Sequence, residues 1–486
     1  MDGALGITGI DKLAQAPQID RTRAAMLEKA LEVCNRLTAG QEDNPRLRLF
    51  QALTFQRSGR ILTLLRRYKE AEERFDRALA VLRDNRATAR PDGPADGFVF
   101  VEALTRVDRG KLFLQSGNAK RAGEEYVAAE ALIGAQAGAP DPSLKFLAAV
   151  GNADLSVLAL DENDTSRALL HLGRARQALE ELFKEDSEDV AYVGAYAFVL
   201  NTLGVAHLRR GETERAAVLF ERGVNASRQL LGVVPGHVDY RAELARCLAN
   251  LGVTLRVRGY FKRAAEPLAE ALAIREELAR NHPEVAPRVV ELCRSYFQTG
   301  QLHRSRDDDP AAAGWFTKVV DRLTKEGLLE ADPHARALAG DVYQARAAAR
   351  EQLKLFPEAA DDMAKAVELA RPDRRPPLRL RLAMLLIDAG QVAKAVAEVE
   401  RVLAKPEELS PALGFDAARA FAKAARAAKE RDRAEEYARR AVTEFAEVEK
   451  AGYFRDPKNG TLLDDPSLAH LRGRKDFDAL RAKVRR

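Results

Sequence analysis

The chain alternates apolar and polar residues with the period of paired α-helices. Between Leu244 and Leu255 an apolar side chain recurs every three or four residues, and the same spacing returns between Ala264 and Ile274, after Gly259. Such spacing places the apolar residues on one face of a helix, and a glycine between two such segments marks a turn. The pattern predicts a helical hairpin.

This hairpin pattern repeats along most of the chain. Gly204, Gly252 and Gly300 stand 48 residues apart, and an alanine follows each of them after twelve residues. Extended in both directions, the alignment gives a small column: Gly59, Gly110, Ser156, Gly204, Gly252, Gly300, Ala347, Ala383 and Ala422. The matching alanine column holds Ala71, Ala122, Ala168, Ala216, Ala264, Ala312, Ala359, Ala395 and Ala434. A fixed period predicts a stack of one supersecondary unit, and the small column predicts close packing between its two helices.

Turn and cap residues agree with the hairpins. Seven residues after the small column stand residues that tolerate a left-handed backbone, namely Gly117, Asn163, Gly211, Gly259, Asp307 and Gly390. Asp141-Pro142 and Asp332-Pro333 place a capping carboxylate before a proline, which is typical of a helix start. We therefore expect a left-handed turn inside each hairpin and new helices at Pro142 and Pro333.

The intervals between small residues divide the chain. They are 51, 46, 48, 48 and 48 residues from Gly59 to Gly300, and 47, 36 and 39 thereafter. We expect an N-terminal tail and capping helix over residues 1–44, with the helix near Thr22–Leu37. Six long repeats over 45–330, three shorter repeats over 331–450 and a cap over 451–486 should follow. The expected fold class is all-α, a right-handed superhelix (α-solenoid) of about nine helical hairpins.

Composition supports this fold and narrows the function. The 486 residues are 46% hydrophobic, which provides enough apolar side chains for a continuous core and excludes a disordered chain. Lys and Arg total 78 against 73 acidic residues, a net charge of +5. Over this length that charge is too dilute for the one-signed surface that nucleic-acid binding requires. We expect no nucleic-acid partner.

Three scattered thiols indicate the compartment. Cys34, Cys247 and Cys293 lack the spacing of a disulfide framework or a zinc site, so we expect free, packed thiols in a reducing, cytoplasmic environment. The N-terminus lacks the basic start and apolar centre of a secretion signal. The richest apolar run, Val190–Leu200, is too short to cross a bilayer, so no membrane span is predicted.

No pattern of acidic residues or histidines predicts a metal site. Asp307, Asp308 and Asp309 lack the spacing of a calcium loop and lie at a predicted turn, where they can cap a helix. His207 and His303 both stand three residues after the small column, a position that favours packing over metal binding. We predict no metal and no cofactor.

The C-terminal segment holds the densest basic run. Its charges, from Arg472 to Arg486, alternate with Phe477 and Leu480. An amphipathic capping helix with its charges in water explains this better than a site for a phosphate or an acidic partner, since the ends of repeat stacks need a polar outer face. No nucleophile and base are suggestively spaced anywhere in the sequence, and we predict that the protein is not an enzyme.

The two columns, with an aromatic residue or leucine four positions after the alanine, resemble the tetratricopeptide repeat. Residues 248–286, LANLGVTLRVRGYFKRAAEPLAEALAIREELARNHPEVA, are especially similar to the long repeats of the kinesin-light-chain type. The resemblance covers roughly residues 45–450. It implies a non-catalytic protein-interaction scaffold that binds a peptide or protein segment in its concave groove.

A second resemblance lies in residues 238–259, VDYRAELARCLANLGVTLRVRG, and in the closing segment DPKNGTLLDDPSLAHLRGRKDFDALRAKVRR. Both are similar to C-terminal repeat modules of certain bacterial serine/threonine protein kinases. The Gly-rich loop, the His-Arg-Asp loop and the Asp-Phe-Gly motif of a kinase domain are missing from the sequence. The resemblance implies an alternative function: a regulatory or sensor module of bacterial kinase signalling, with a kinase or its substrate as partner.

The resemblance to the tetratricopeptide repeat also assigns candidate contact residues. In that family the first helices line the groove, at positions six, three and two residues before the small column and one after it. These positions hold Phe198, Asn201, Thr202, Arg246, Asn250, Arg294, Phe297, Gln298 and Gln301. Amides and arginines suit recognition of the backbone and carboxylates of an extended peptide. The alternative is that Asn250 only braces neighbouring helices and the arginines are solvated surface. The Lys and Asn set of a clamp for chaperone tails does not recur.

Overall fold

The computed structural model describes residues 20–37, 45–88, 95–135, 141–187, 189–281, 283, 285–405, 409–456 and 458–485. Within these ranges the regular elements are α-helices and short 3-10 helices, without strands. Nine helical hairpins are formed by the described residues, each centred on one pair of column residues, and the predicted all-α repeat fold is confirmed. The chain divides into two compact units, Met1–His282 and Pro283–Arg486.

The first unit contains a leading helix and five hairpins. The leading helix, α1, is Asp20–Leu37, close to the predicted Thr22–Leu37. The hairpins are α2 Pro45–Leu64 with α3 Tyr68–Thr88, α4 Ala95–Gln115 with α5 Ala119–Gly134, α6 Pro142–Asp161 with α7 Thr165–Glu185, α8 Val190–Arg209 with α9 Thr213–Val233, and α10 Val238–Val257 with α11 Phe261–Asn281.

The second unit contains four hairpins and a C-terminal segment. Its hairpins are α12 Ala286–Arg304 with α13 Asp309–Lys325, α15 Pro333–Gln352 with α16 Phe356–Leu369, α17 Arg375–Asp388 with α18 Val392–Leu403, and α19 Pro411–Ala427 with α20 Arg431–Lys450. The short α14, Leu328–Ala331, and a 3-10 turn, Pro372–Arg374, join hairpins. Three 3-10 turns, Tyr453–Arg455, Leu462–Asp464 and Pro466–Leu471, lead to α21, Lys475–Val484.

The small column packs against one side chain of the second helix, sixteen residues further along. A Cβ added at any of the five glycines of this column would lie 2.5 to 2.8 Å from that side chain. The facing residues, in chain order, are Phe75, Tyr126, Leu172, Phe220, Leu268, Phe316, Met363, Val399 and Ala438, all buried. Aromatic rings occur only opposite a glycine, whereas serine and alanine face Leu, Met, Val or Ala. The two positions are therefore complementary in size.

The left-handed turns inside the hairpins are present as predicted. All six predicted turn residues have positive φ, and so do Arg66 (59°) and Lys354 (60°) at the same position of the first and seventh hairpins. The next residue closes the turn by donating its N–H back to the helix, as Leu355 does to the Arg350 carbonyl at 2.8 Å. The sequence could not predict Arg66 and Lys354, because neither residue type favours this backbone. Lys429, the equivalent residue of the ninth hairpin, does not have positive φ.

Predicted caps and turn residues hold the helix starts. Asp141 accepts hydrogen bonds from the Ser143 and Leu144 N–H groups, and Asp332 caps α15 in the same way. His207 Nδ1 lies 2.8 Å from Glu212, and His303 Nδ1 lies 2.9 Å from Asp308. These bonds lower the pKa of Glu212 and Asp308. The histidines thus act in turn structure, and Asp308 also caps α13 through the Ala311 N–H.

The first helices form the inner face of the first unit. Successive first helices contact one another directly, α2 with α4, α4 with α6, α6 with α8 and α8 with α10. The second helices of the first four hairpins each pack between the first helix of their own hairpin and that of the next. Since the first helices approach each other across every hairpin, they lie on the inner side of the stack. In the second unit α12 likewise contacts α15, and α17 contacts α19.

Buried thiols and apolar helices belong to the core. Cys34, Cys247 and Cys293 are free and buried, as predicted, and burial raises the pKa of each thiol, to about 12 for Cys293. Two helices, α6 and α8, are long and apolar enough to cross a membrane. The sequence predicts no membrane span from the Val190–Leu200 run because of its length, but the helix that contains this run continues to Arg209. Of the apolar stretch of each helix, 61% is buried inside the protein in α6 and 50% in α8. Such burial is typical of core helices.

The C-terminal segment covers the ninth hairpin. Phe477 and Leu480 of α21 are buried in the same core cluster as Phe445 of α20. Basic residues of the segment pair with acidic ones: Arg474 with Glu435 at 2.7 Å, Lys483 with Glu449 at 2.5 Å, and Arg481 and Arg485 with Asp464. The basic run therefore packs against its own hairpin, as a cap does.

Replacing Gly252 with alanine should destabilise the protein, although alanine favours helices. The new Cβ would lie 2.5 Å from Leu268 Cγ and 3.2 Å from the Ala264 carbonyl oxygen. Overpacking of about 1 to 3 kcal/mol should exceed the gain in helix propensity. In the control Gly173→Ala the Cβ meets nothing within 4 Å, so that variant should gain about 0.5 to 1 kcal/mol. Changes of equal sign in chemical denaturation would contradict the assigned packing.

Replacing Lys354 with glycine should stabilise the protein. The left-handed backbone costs a lysine about 1 to 2 kcal/mol, and the greater freedom of glycine in the unfolded chain leaves a net gain of roughly 0.5 to 1 kcal/mol. Lys429→Gly is the matched control, because Lys429 has the same place in its hairpin without positive φ. Thermal and urea unfolding should show a gain for Lys354→Gly alone; equal effects would exclude backbone strain as the cause.

Candidate functional site

The inner face of the second unit contains a cavity between α12 and α15. Its volume is about 350 Å³, and its lining residues are Phe297, Gln301, Arg304, Asp341, Gln344 and Ala345. Counted from the small column, they stand at −3, +1 and +4 in the sixth hairpin and at −6, −3 and −2 in the seventh. The cavity thus forms where two neighbouring first helices present the same kind of positions.

Helix geometry explains why these side chains meet. Phe297, Gln301 and Arg304 follow at intervals of four and three residues and so share one face of α12. Gly300, between them in sequence, faces Phe316 of its own second helix. The Phe297 ring reaches the same aromatic residue, with ring centroids 5.6 Å apart. The hairpin contact therefore fixes which face of α12 borders the cavity.

Two charges of opposite sign line the cavity. Partial burial raises the pKa of Asp341, while the nearby guanidinium groups of Arg294 and Arg374 lower it. Arg294 also lies 3.4 Å from Glu291. Arg304 is half-buried and makes no ion pair with any described residue. The site therefore combines a carboxylate that has cationic neighbours with an arginine that lacks a counter-charge.

Two amide side chains, Gln301 and Gln344, line the cavity, and a third, Gln298, lies on the same helix as Gln301. Gln344 donates to the Gly340 carbonyl at 3.2 Å, a bond within its own helix. The Gln298 Oε1 atom is buried and has no hydrogen-bond partner within the described part of the chain. Gln301 makes no side-chain hydrogen bond to a described residue. Amides with spare donors and acceptors on an inner face can pair with the backbone of an extended chain.

Of the residues predicted on α12, Phe297 and Gln301 line the cavity, Arg294 lies near its Asp341, and Gln298 is on the same helix outside the lining. Their binding role stays a prediction. The lining residues that the sequence analysis missed are Arg304, Asp341, Gln344 and Ala345. Counting six and three residues back from Ala347 leads to Asp341 and Gln344, so the same positions would have revealed them. Arg304 lies one helical turn beyond those positions.

The predicted residues of the first unit are placed differently. Asn201 is buried and accepts a hydrogen bond of 2.9 Å from Asn250 Nδ2 on the next hairpin. Thr202 is also buried, and its hydroxyl donates to the Phe198 carbonyl at 2.9 Å. Between the two alternatives for Asn250, this geometry favours a brace between helices.

Phe198 and Arg246 lie nearer to solvent. The Phe198 side chain is partly buried and packs against the core cluster formed by the third and fourth hairpins. Arg246 is 47% exposed and pairs with Glu243 at 3.0 Å. In the first unit these two residues do not gather with Asn201 and Asn250 into one site.

The same inter-hairpin bond recurs near the N-terminus. Gln56 Nε2 donates to Asp108 Oδ2 at 2.5 Å, and both side chains are buried. Gln56 stands three residues before its small-column glycine and Asp108 two before its own, the positions held by Asn201 and Asn250. A polar residue at each of these positions therefore links two consecutive first helices.

Comparisons with known proteins agree with the fold. The tetratricopeptide-repeat family model matches residues 199–239 and 244–284, in the fourth and fifth hairpins. Among solved structures, the apo form of the quorum sensor NprR from B. thuringiensis is similar at a TM-score of 0.50 and 14% identity, over 82% of this chain and 98% of NprR. BtubC (BKLC) from P. vanneervenii is 19% identical, over 55% of this chain and 92% of its own, at 0.37. No curated protein matches the chain.

In each hairpin a small residue of the first helix packs against a facing side chain of the second, and the hairpins stack through their first helices. This arrangement defines a helical-repeat protein. The fourth and fifth hairpins match the tetratricopeptide-repeat family model, and the described chain folds as a helical-repeat protein of that type.

Breaking the Asn201–Asn250 bond should reveal it as a brace. Asn250→Ala leaves a buried amide oxygen on Asn201 without its donor, which should cost about 1 to 3 kcal/mol. Asn201→Ala should cost a similar amount, and the double variant should cost less than the two together, with a coupling of about 0.5 to 1 kcal/mol. Urea denaturation of the four proteins gives this cycle; strictly additive effects would contradict the brace.

Proposed function

We propose that this protein is a non-catalytic interaction scaffold whose second unit binds an extended peptide segment of a protein partner. The observation that supports this most directly is the cavity on the inner face, bordered by amides of two neighbouring first helices. In the resembled family these helices line the concave groove, so the cavity lies where that family presents its contact residues.

The chemistry of the lining suits a peptide. An extended segment exposes one N–H and one C=O per residue, and a primary amide offers one acceptor and two donors for such groups. Gln301 on α12 and Gln344 on α15 provide amides from both walls of the cavity. Phe297 and Ala345 add apolar surface for a side chain. Helices held by buried contacts present these groups in a fixed arrangement, which reduces the entropy lost on binding.

The same lining gives no support to catalysis. Its six residues include no histidine, cysteine, serine or threonine, so the cavity lacks the pairing of nucleophile and base on which covalent catalysis depends. Among the described residues, no group of three His, Cys, Asp or Glu side chains is arranged to hold a metal ion. We therefore place the function in recognition.

The kinase-linked alternative stays a prediction. The closing segment that resembles kinase-associated modules packs on the ninth hairpin through Phe477, Leu480 and its ion pairs. That role in the fold accounts for the segment without a kinase partner, so no contact of the described residues favours the alternative.

Removing the two cavity amides should weaken peptide binding. Peptides selected from a random display library on the wild-type protein should bind Gln301→Ala/Gln344→Ala at least about tenfold more weakly, since two hydrogen bonds are lost at roughly 1 kcal/mol each. Fluorescence anisotropy with labelled peptides gives the affinities, and circular dichroism melting curves should stay unchanged.

The matched control is Lys365→Ala/Arg401→Ala. Both residues are exposed on second helices away from the cavity: Lys365 pairs with exposed Glu368, and Arg401 pairs with Glu398, which keeps its second partner Arg379 in the variant. This variant should bind the selected peptides as the wild type does. If selection enriches no peptide, or if the enriched peptides bind both double variants equally, the proposed site is wrong.

A further inference from the structure

The cavity contains one charge that its own surroundings do not balance. Arg304 borders the cavity from the last turn of α12, is half-buried, and has no ion pair with a described residue. Several charged residues on the first helices of the second unit are paired, as Arg381 is with Glu351, Lys423 with Asp388 at 2.5 Å and Arg419 with Asp416 at 3.6 Å, whereas Arg336 and Arg426, which form no ion pair with a described residue, are exposed. A partly desolvated guanidinium with free donors is suited to receive a carboxylate from outside.

We propose that the cavity receives one acidic side chain of the bound segment and that Arg304 is its anchor. This inference rests on the proposed function, and it adds the chemical class of residue that the site selects. Arg304 can offer two parallel N–H donors to a carboxylate, a geometry that a lysine or an amide cannot provide.

Asp341 limits the cavity to a single negative charge. Its carboxylate lines the same cavity, and Arg294 and Arg374 act on it from nearby. A second acidic group in the ligand would meet repulsion from Asp341 that these arginines only partly offset. The cavity therefore selects an isolated Asp or Glu over an acidic run.

The amides indicate a side chain as the source of the carboxylate. Gln301 stands one helical turn before Arg304 on α12, and Gln344 faces it from α15. A segment whose backbone pairs with both amides continues past the cavity, and only a side chain then points at Arg304. A free C-terminus would end the chain at this point and leave one amide without a backbone partner.

Labelled peptide pools test the inference directly. Two C-terminally amidated pools carry random residues around a central Glu or a central Gln, and a third carries the central Gln with a free C-terminal carboxylate. Binding to the immobilised full-length protein is measured by fluorescence. The Glu pool should be retained at least about fivefold more than the amidated Gln pool, since charge-assisted hydrogen bonds exceed neutral ones. Higher salt should reduce this preference.

Three variants should change the preference for Glu in three different ways. Arg304→Gln should abolish the preference for Glu, and Asp341→Asn should increase it about two- to threefold by removing the repulsion. Arg306→Gln changes an exposed arginine of the following turn and should leave the preference unchanged. Melting curves confirm that each variant is folded.

The outcomes separate this inference from the proposed function. An equal Glu preference in the wild type and in Arg304→Gln, or no such preference in the wild type, overturns the role of Arg304. An Arg304-dependent preference for the free-terminus pool over both amidated pools overturns the side chain as the carboxylate source. If peptides bind through Gln301 and Gln344 without any preference for Glu, the proposed function stands and this inference fails.

Discussion

The contact between the small column and its facing side chain is the constraint on which the rest of the structure depends. A glycine such as Gly204 lets the Phe220 ring lie where a Cβ would come within 2.5 Å of it. That approach sets the spacing of the two helices and the rotation of the first helix about its own axis. The rotation decides which residues point inward, so the inner face, where we propose that a peptide binds, follows from a packing rule inside each hairpin.

Polar contacts between hairpins fix how neighbouring helices align along their axes, which apolar packing alone does not specify. In the first unit Gln56 and Asn201 each pair with a residue of the next first helix. In the second unit Arg346 grips Asp362 through two bonds of 2.9 and 2.7 Å and also reaches Thr317 of the preceding hairpin at 3.0 Å. Such buried groups are costly when unpaired, which disfavours any slipped arrangement of the stack.

The same inner positions serve different purposes along the chain. Where complementary polar residues face each other, as Asn201 faces Asn250, the position is used for bracing. Where Phe297 and Gln301 face Ala345 and Gln344, the small alanine and the unmatched amides leave an open cavity. One repeat geometry therefore gives both a polar brace between helices and an open cavity, and the residue pair at each step decides between them.

The sequence by itself determined the hairpins and six of their left-handed turns, because these depend on local periodicity and on residue types such as Gly117 with strong backbone preferences. It also named Phe297 and Gln301 as inner-face residues, and both line the cavity. Only the tertiary structure decided that Asn250 is bonded to Asn201, that Lys354 adopts a left-handed turn, and that Arg304 has no ion-pair partner within the described chain. The two side-chain facts depend on which residue of a neighbouring helix lies opposite. The periodicity of one helix does not specify the distance between side chains of different helices.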